Sequence, residues 1–256
     1  MPYDAKAHHR SPALIIYLID ISGSMADPLD GRPKIEHVHE VLEKMFTRMI
    51  QRSRTGRSPD DISDRYHAAL FAYSDQVVDA FGGPQPISQI AQMGLPRFTA
   101  EEATNTWGAF CAARDLLARQ IQGFGDRPAP LVCHLTDGEF NGADPEPVAR
   151  EILGLSVLDG PVLIENIYIG PRLTKSAISD AKAWQGIRGE AELQDPYAHK
   201  LLRMSSPLPA SYAEMLRQEG GYSVEAGRPM LIPGASRELV ELAFTMSRST
   251  PTGPAR

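Results

Sequence analysis

Asp20, Ser22 and Ser24 alternate along Asp20-Ile21-Ser22-Gly23-Ser24, which places a carboxylate and two hydroxyls in one short piece of chain. Two other segments carry oxygens of the same kind, Thr104-Asn105-Thr106 and Thr136-Asp137-Gly138. Such oxygens suit a hard cation, Mg²⁺ first, with Mn²⁺ or Ca²⁺ as alternatives. Ser22, Ser24 and Thr104 would offer neutral oxygens, and Asp20 and Asp137 would bring negative charge, directly or through water. Mg²⁺ asks for near-octahedral oxygens and sheds its waters reluctantly. With hydroxyls inside and carboxylates acting mainly through water, the ion stays electron-poor and attracts a Glu or Asp carboxylate from outside. Gly23 is expected to let the backbone turn tightly beside the ion. Taken singly, Asp20 or Ser22 could equally cap a helix or satisfy loop amides. The coincidence of three segments is what points to a metal.

The elements around these segments explain how they could meet. Ala13 to Ile19 is continuously apolar and too short to cross a membrane, the pattern of a strand buried on both faces. Asp20 follows it directly. Pro33 to Ile50 carries Ile35, Val38, Val41, Leu42, Met45, Phe46 and Met49 at helical spacing. Tyr66–Tyr73 and Gln76–Phe81 read as strands whose Ser74-Asp75 connection favours an antiparallel edge hairpin. An irregular stretch is expected up to Thr104, then a helix over Trp107–Ile121. Leu131–Thr136 is another buried strand, ending at Asp137-Gly138. A helix over Pro145–Leu155 and a strand over Val162–Ile169 follow, while residues 171–200 are polar and unassigned. Leu201–Met204 reads as a last short strand, with helices near Ser211–Gln218 and Ser236–Met246. The expected fold is α/β: a doubly wound, mostly parallel central sheet with one antiparallel edge strand and helices on both faces. Ligand sites of such sheets lie at the carboxyl ends of the strands, where Asp20 and Asp137 fall.

The 256 residues, 42% hydrophobic and 23% charged, support one domain, taken as residues 11–248 with flexible tails at 1–10 and 249–256. A net charge of −6 argues against a nucleic-acid binder. Arg48, Arg52, Arg54 and Arg57 are followed by Asp60, Asp61 and Asp64 and read as a solvated helix end. Cys111 and Cys133 read as free buried thiols in a reducing compartment. No segment has the length of a membrane span, and no apolar leader of the secretory kind precedes the first strand, so a cytoplasmic location is expected.

The combination of Asp20-Ile21-Ser22-Gly23-Ser24, Thr104 and Asp137-Gly138 resembles the metal-ion-dependent adhesion site of von Willebrand factor A domains. Thr104-Asn105-Thr106-Trp107-Gly108-Ala109 is similar to the corresponding loop of the inserted domains of integrin α chains. The resemblance extends over roughly residues 11 to 170. It implies a doubly wound fold, a binding role without catalysis, and a Mg²⁺ held directly by Ser22, Ser24 and Thr104, with Asp20 and Asp137 often acting through water. The pair before the threonine is commonly glycine-rich in the family, whereas Glu102-Ala103 stands here, which would stiffen the loop around Thr104.

The expectation from the resemblance is a metal-dependent protein-interaction module that takes a partner's Glu or Asp. It would work within an intracellular multiprotein system, such as one built on a chaperone-type ATPase, a chelatase, or a stress and tellurium-resistance apparatus. No membrane or nucleic-acid partner is expected. The alternative is a Mg²⁺-dependent, phosphatase-like hydrolase. Such enzymes place an acid/base carboxylate two residues after the strand-end aspartate, and that position here is Ser22. His134, inside its strand, reads as a core residue and not as a catalytic base.

Overall fold

Strand β1 (Ala13–Asp20) is buried at every position, and its alternation divides the molecule. Ile15, Tyr17 and Ile19 point into one apolar cluster, and Leu14, Ile16 and Leu18 into the other, because successive side chains of a strand leave opposite faces of the sheet. A strand apolar on both sides must lie centrally. β1 is flanked in parallel by β2 (Tyr66–Tyr73) and by β5 (Leu131–Thr136).

The computed structural model describes residues 3–247 except 30, 57, 59, 60, 139, 141, 171, 172 and 195. With β3 (Val77–Asp79), β4 (Gln85–Pro86), β6 (Leu163–Tyr168) and β7 (Leu231–Pro233), the main sheet has seven strands in the order β7-β6-β5-β1-β2-β3, with β4 also on β2. β3 and β4 both run antiparallel to β2, at Phe71–Tyr73 and His67–Ala68, as two pieces of one edge. Every other pairing in this sheet is parallel. The mostly parallel, doubly wound arrangement read from the sequence is the one observed.

One face is covered by α1 (Lys34–Ser53), α2 (Ile87–Met93), α6 (Ala210–Gly220) and α7 (Arg237–Ser247), whose apolar residues join the β1 cluster of Ile15, Tyr17 and Ile19. α3 (Thr106–Ile121) and α4 (Glu146–Gly154) cover the other. In α1 the residues facing inward recur every three or four positions, from Ile35 and Val38 to Met45, Phe46 and Met49. Each such side chain removed from water contributes about 1.5–3 kcal/mol, enough to hold a helix whose amino end lacks a side-chain cap at Pro33.

Three expectations are corrected. Leu201–Met204 is not a strand: Leu201 to Arg203 form the last turn of α5 (Pro196–Arg203), and Ala198 and Leu201 of that helix pack with Leu173, Ile187, Leu193 and Leu231 in a small satellite core. The last strand is β7, three residues far downstream. The stretch before Thr104, read as irregular, contains α2, anchored by buried Ile87 and Ile90. Of the flexible tail expected at 1–10, the described residues 3–10 are tied to the body: Tyr3 N donates to Asp159 O at 2.8 Å, Ser211 Oγ to Tyr3 O at 2.7 Å, and Ala7 is buried. The expected tail at 249–256 lies outside the described residues. Cys111 and Cys133 are free, Cys133 buried.

Candidate metal centre

The chain leaves β1 toward β2 on one side and returns to β5 on the other, so the strand order reverses between β1 and β5. Crevices form at such switch points, at the strands' carboxyl ends. Asp20 ends β1 and Asp137 follows β5, one on each side of this reversal. Parallel pairing places Ile19 opposite Leu135 and Asp20 opposite Tyr73, which fixes both loops to within a residue.

Asp20 is buried and held at both oxygens. Its Oδ1 accepts from the backbone N of Ser22 at 2.9 Å, and its Oδ2 accepts from Thr136 Oγ1 at 2.8 Å. Thr136 Oγ1 in turn accepts from Gly138 N at 2.9 Å, joining the first and third segments through one hydroxyl. Burial pushes the Asp20 carboxyl up to about 6, and the charge of Asp137 adds to the rise while the bonds from Ser22 and Thr136 oppose it. A buried carboxylate whose ionisation a neighbouring carboxylate opposes favours a cation between the two.

Ser22 and Ser24 present their hydroxyls to each other at 3.2 Å. The turn that carries them is a short 3-10 helix, Gly23–Ala26, pinned by the wholly buried Met25 and closed by Asp27 N donating to Ser24 O at 3.1 Å. Gly23 lies outside the left-handed region, and a Cβ there would meet the carbonyl oxygens of Glu101 and Glu102 at 3.4 and 3.5 Å, ordinary contact. The tight turn expected of this glycine is therefore not conformationally demanding. Gly138 is the demanding one, with φ at 92° and a Cβ position 2.8 Å from Tyr168 Cε2.

Thr104, buried, is placed by its neighbours. Glu101 N donates to Ile21 O at 2.7 Å, bringing residue 101 alongside Ser22 as a parallel bridge. On the other side Asn105 N donates to Ser74 O at 2.5 Å, and the Asn105 side chain caps α3 by accepting from Gly108 N at 2.9 Å. The loop bearing Thr104 is thus fastened to the loop after β1 at one end and to the end of β2 at the other, despite the absence of glycines before the threonine.

Asp137 is buried, and Lys34 Nζ donates to its Oδ2 at 3.0 Å. Its Oδ1 is buried with no hydrogen-bond partner. An orphaned buried carboxylate oxygen is costly unless something charged satisfies it, and the charge of Asp137 is felt by a second buried carboxylate, Asp20. The donor set therefore fits a hard divalent cation. Among the described residues no three His, Cys, Asp or Glu side chains gather into a metal-binding group. Sequence reasoning places Thr136 in the third segment but not its role as a bridge to Asp20, and it missed Lys34, whose partner lies 103 positions away.

Behind the site runs a buried polar chain. Asn166 Nδ2 donates to Ser205 Oγ at 2.9 Å, which turns Asn166 Oδ1 toward His134 as an acceptor. His134 Nδ1 then carries the proton, at 2.7 Å, and its Nε2 accepts from Tyr73 OH at 2.6 Å. Burial pulls the imidazole down to about 4, the Asn166 bond opposing. His134 is an interior hydrogen-bonding group, with Phe110 edge-on at 5.1 Å between ring centres.

No protein-family model matches this sequence, and no curated protein does. Solved structures do match. Proximal thread matrix protein 1 from the mussel byssus aligns at 14% identity with a TM-score of 0.51, covering 92% of this chain and 46% of that one. The fold is von Willebrand factor A-like. The VWA domain of SpRpn10 aligns at 13% identity and a TM-score of 0.47, covering 90% of this chain and 93% of that one. A form of the mussel protein with a zinc-occupied MIDAS motif, the metal-ion-dependent adhesion site, aligns at 19% identity and a TM-score of 0.40, covering 64% of this chain and 36% of that one. This chain thus spans less than half of the mussel protein, and these likenesses speak to the fold alone.

Proposed function

We propose that this protein is a divalent-metal-dependent protein-interaction module that engages an acidic side chain of a partner. The observation that carries the reading is the buried Asp137 Oδ1 without a partner, set beside Asp20 at the switch point of a von Willebrand factor A-like sheet. Ser22, Ser24, Thr104, Asp20 and Asp137 would hold the ion, Mg²⁺ in the first instance. Bound there, the cation would supply an electrophilic position for a carboxylate. The chain's own part is positional. Thr136 fixes the Asp20 carboxylate, Met25 anchors the serine turn, and the Asn105 cap holds the loop of Thr104.

The surroundings suit a macromolecular ligand. Trp107, three residues after Thr104, is 42% exposed, and Tyr197, whose Cβ lies 3.6 Å from a Cβ position on Gly138, is 38% exposed. Exposed aromatics beside a polar centre are the usual anchors of protein interfaces. Ser22 stands where a phosphatase of this topology would need its acid/base, and His134 is engaged in the interior, so the module is read as non-enzymatic. A place in an intracellular assembly, with an ATPase or chelatase component as partner, belongs to the same proposal.

The test is thermal. Mg²⁺ or Mn²⁺ at millimolar concentration should raise the melting temperature of the wild type and not that of Asp20→Ala. A capture experiment with a matrix-bound protein should then lose its partner in EDTA. Turnover of a generic phosphoester, abolished in Asp20→Ala, would overturn the binding reading in favour of the hydrolase.

A further inference from the structure

Lys34 is the first residue of α1, and its side chain turns back to Asp137 with only 13% of its surface exposed. A cation in the first turn of a helix opposes the positive end of the helix dipole. Lys34 is therefore badly placed for its own helix and is kept there by something else. Its backbone N is fastened to Asp27 O at 3.0 Å, which fixes the start of α1 against the serine turn. Its ammonium reaches Asp137 Oδ2 at 3.0 Å, on a carboxylate whose side chain is 3% exposed. The pair is shielded, so salt screens it little.

We infer that Lys34 is a built-in counter-cation that weakens metal binding at this centre and strengthens the hold of the metal-loaded centre on an anionic ligand. The inference rests on the metal reading above and specifies how the site is tuned. Asp20, Asp137 and Lys34 together leave the site with one net negative charge. A divalent ion converts this to one net positive charge. Without the ammonium, the metal-free site would carry two negative charges and the loaded site none. Lys34 thus opposes the arrival of the metal by direct repulsion and by occupying Asp137 Oδ2. Once the metal is present, it supplies the surplus positive charge that a carboxylate neutralises. The two effects have opposite signs, which distinguishes them from the consequence of a merely damaged site.

The experiment titrates Mn²⁺ by calorimetry into wild type, Lys34→Met and Lys34→Arg at pH 7.5 and fixed ionic strength, then titrates acetate into each Mn²⁺-loaded protein. Lys34→Met keeps length and packing while removing charge, and should bind Mn²⁺ about tenfold more tightly. Its loaded form should bind acetate more weakly than the wild type. Lys34→Arg keeps the charge and should stay within about threefold of the wild type for Mn²⁺. If Lys34→Met does not fold, as read by circular dichroism, Lys34→Gln is measured in its place. Wild-type binding of Mn²⁺ with equal or weaker binding by the neutral variants would overturn the inference and leave the metal site standing. Acetate binding unchanged by loss of the charge would overturn its second half. Failure of every variant, wild type included, to bind Mn²⁺ would overturn the metal reading itself.

Discussion

At the scale of the residue, Thr136 does more than its place in the sequence announces. One hydroxyl donates to Asp20 and accepts from Gly138, so that the ends of β1 and β5 share an atom. Thr136→Val is nearly isosteric, yet leaves a buried carboxylate oxygen and a buried N–H unmatched, and should cost about 2–4 kcal/mol in urea unfolding. A loss below about 0.5 kcal/mol would show that water replaces the hydroxyl without penalty. His134 gives a prediction in pH. Its folded value is about 4, below the ordinary value of 6.5, so the unfolded chain binds the extra proton first as the solution is acidified. Stability from this group is complete above pH 6.5 and is lost as the pH falls toward 4, by up to about 3 kcal/mol. The stability gap between wild type and His134→Gln should therefore narrow over that window. A gap independent of pH would contradict a neutral, buried imidazole. Asp20, Ser22, Ser24 and Asp137 were legible because their spacing and their strand ends stand in the sequence. Lys34 was not, because only the meeting of α1 with the loop after β5 gives its charge a partner.

At the scale of the element, the legible parts were those that bury continuous apolar runs. β1, β2 and β5 are apolar on both faces and need no partner to be recognised. β7 has three residues, one of them proline, and becomes a strand only because β6 offers a parallel edge at Asn166–Tyr168. The run Leu201-Leu202-Arg203-Met204 looks like a strand locally; it closes a helix because Ala198 and Leu201, three apart, find the satellite core around Leu173 and Leu193. α2 is too short for its period to register, and tertiary burial of Ile87 and Ile90 decides it. The cap of α3 carries a test. Asn105→Ala removes the acceptor of Gly108 N and should cost about 1 kcal/mol. It should also reduce the metal-induced rise in melting temperature, since the same residue positions Thr104. A variant destabilised to that degree but with an undiminished metal response would separate the cap from the site.

At the scale of the whole molecule, the doubly wound sheet places the site where no single segment could. Residues 20–24, 101–105 and 136–138 meet because β1 is central and the order of strands reverses beside it. No helix among the described residues is long and apolar enough to cross a membrane, and Lys34 brings a positive charge to this crevice through its pair with Asp137. The most direct test of this account is a crystal grown with Mn²⁺ and measured for its anomalous signal. One strong peak among Asp20, Ser22, Ser24, Thr104 and Asp137, with Asp137 Oδ1 turned to the ion or to a water it holds, is the predicted result. No peak there in a crystal soaked to saturation, with the two carboxylates still held by Ser22 N, Thr136 and Lys34 as here, would contradict it.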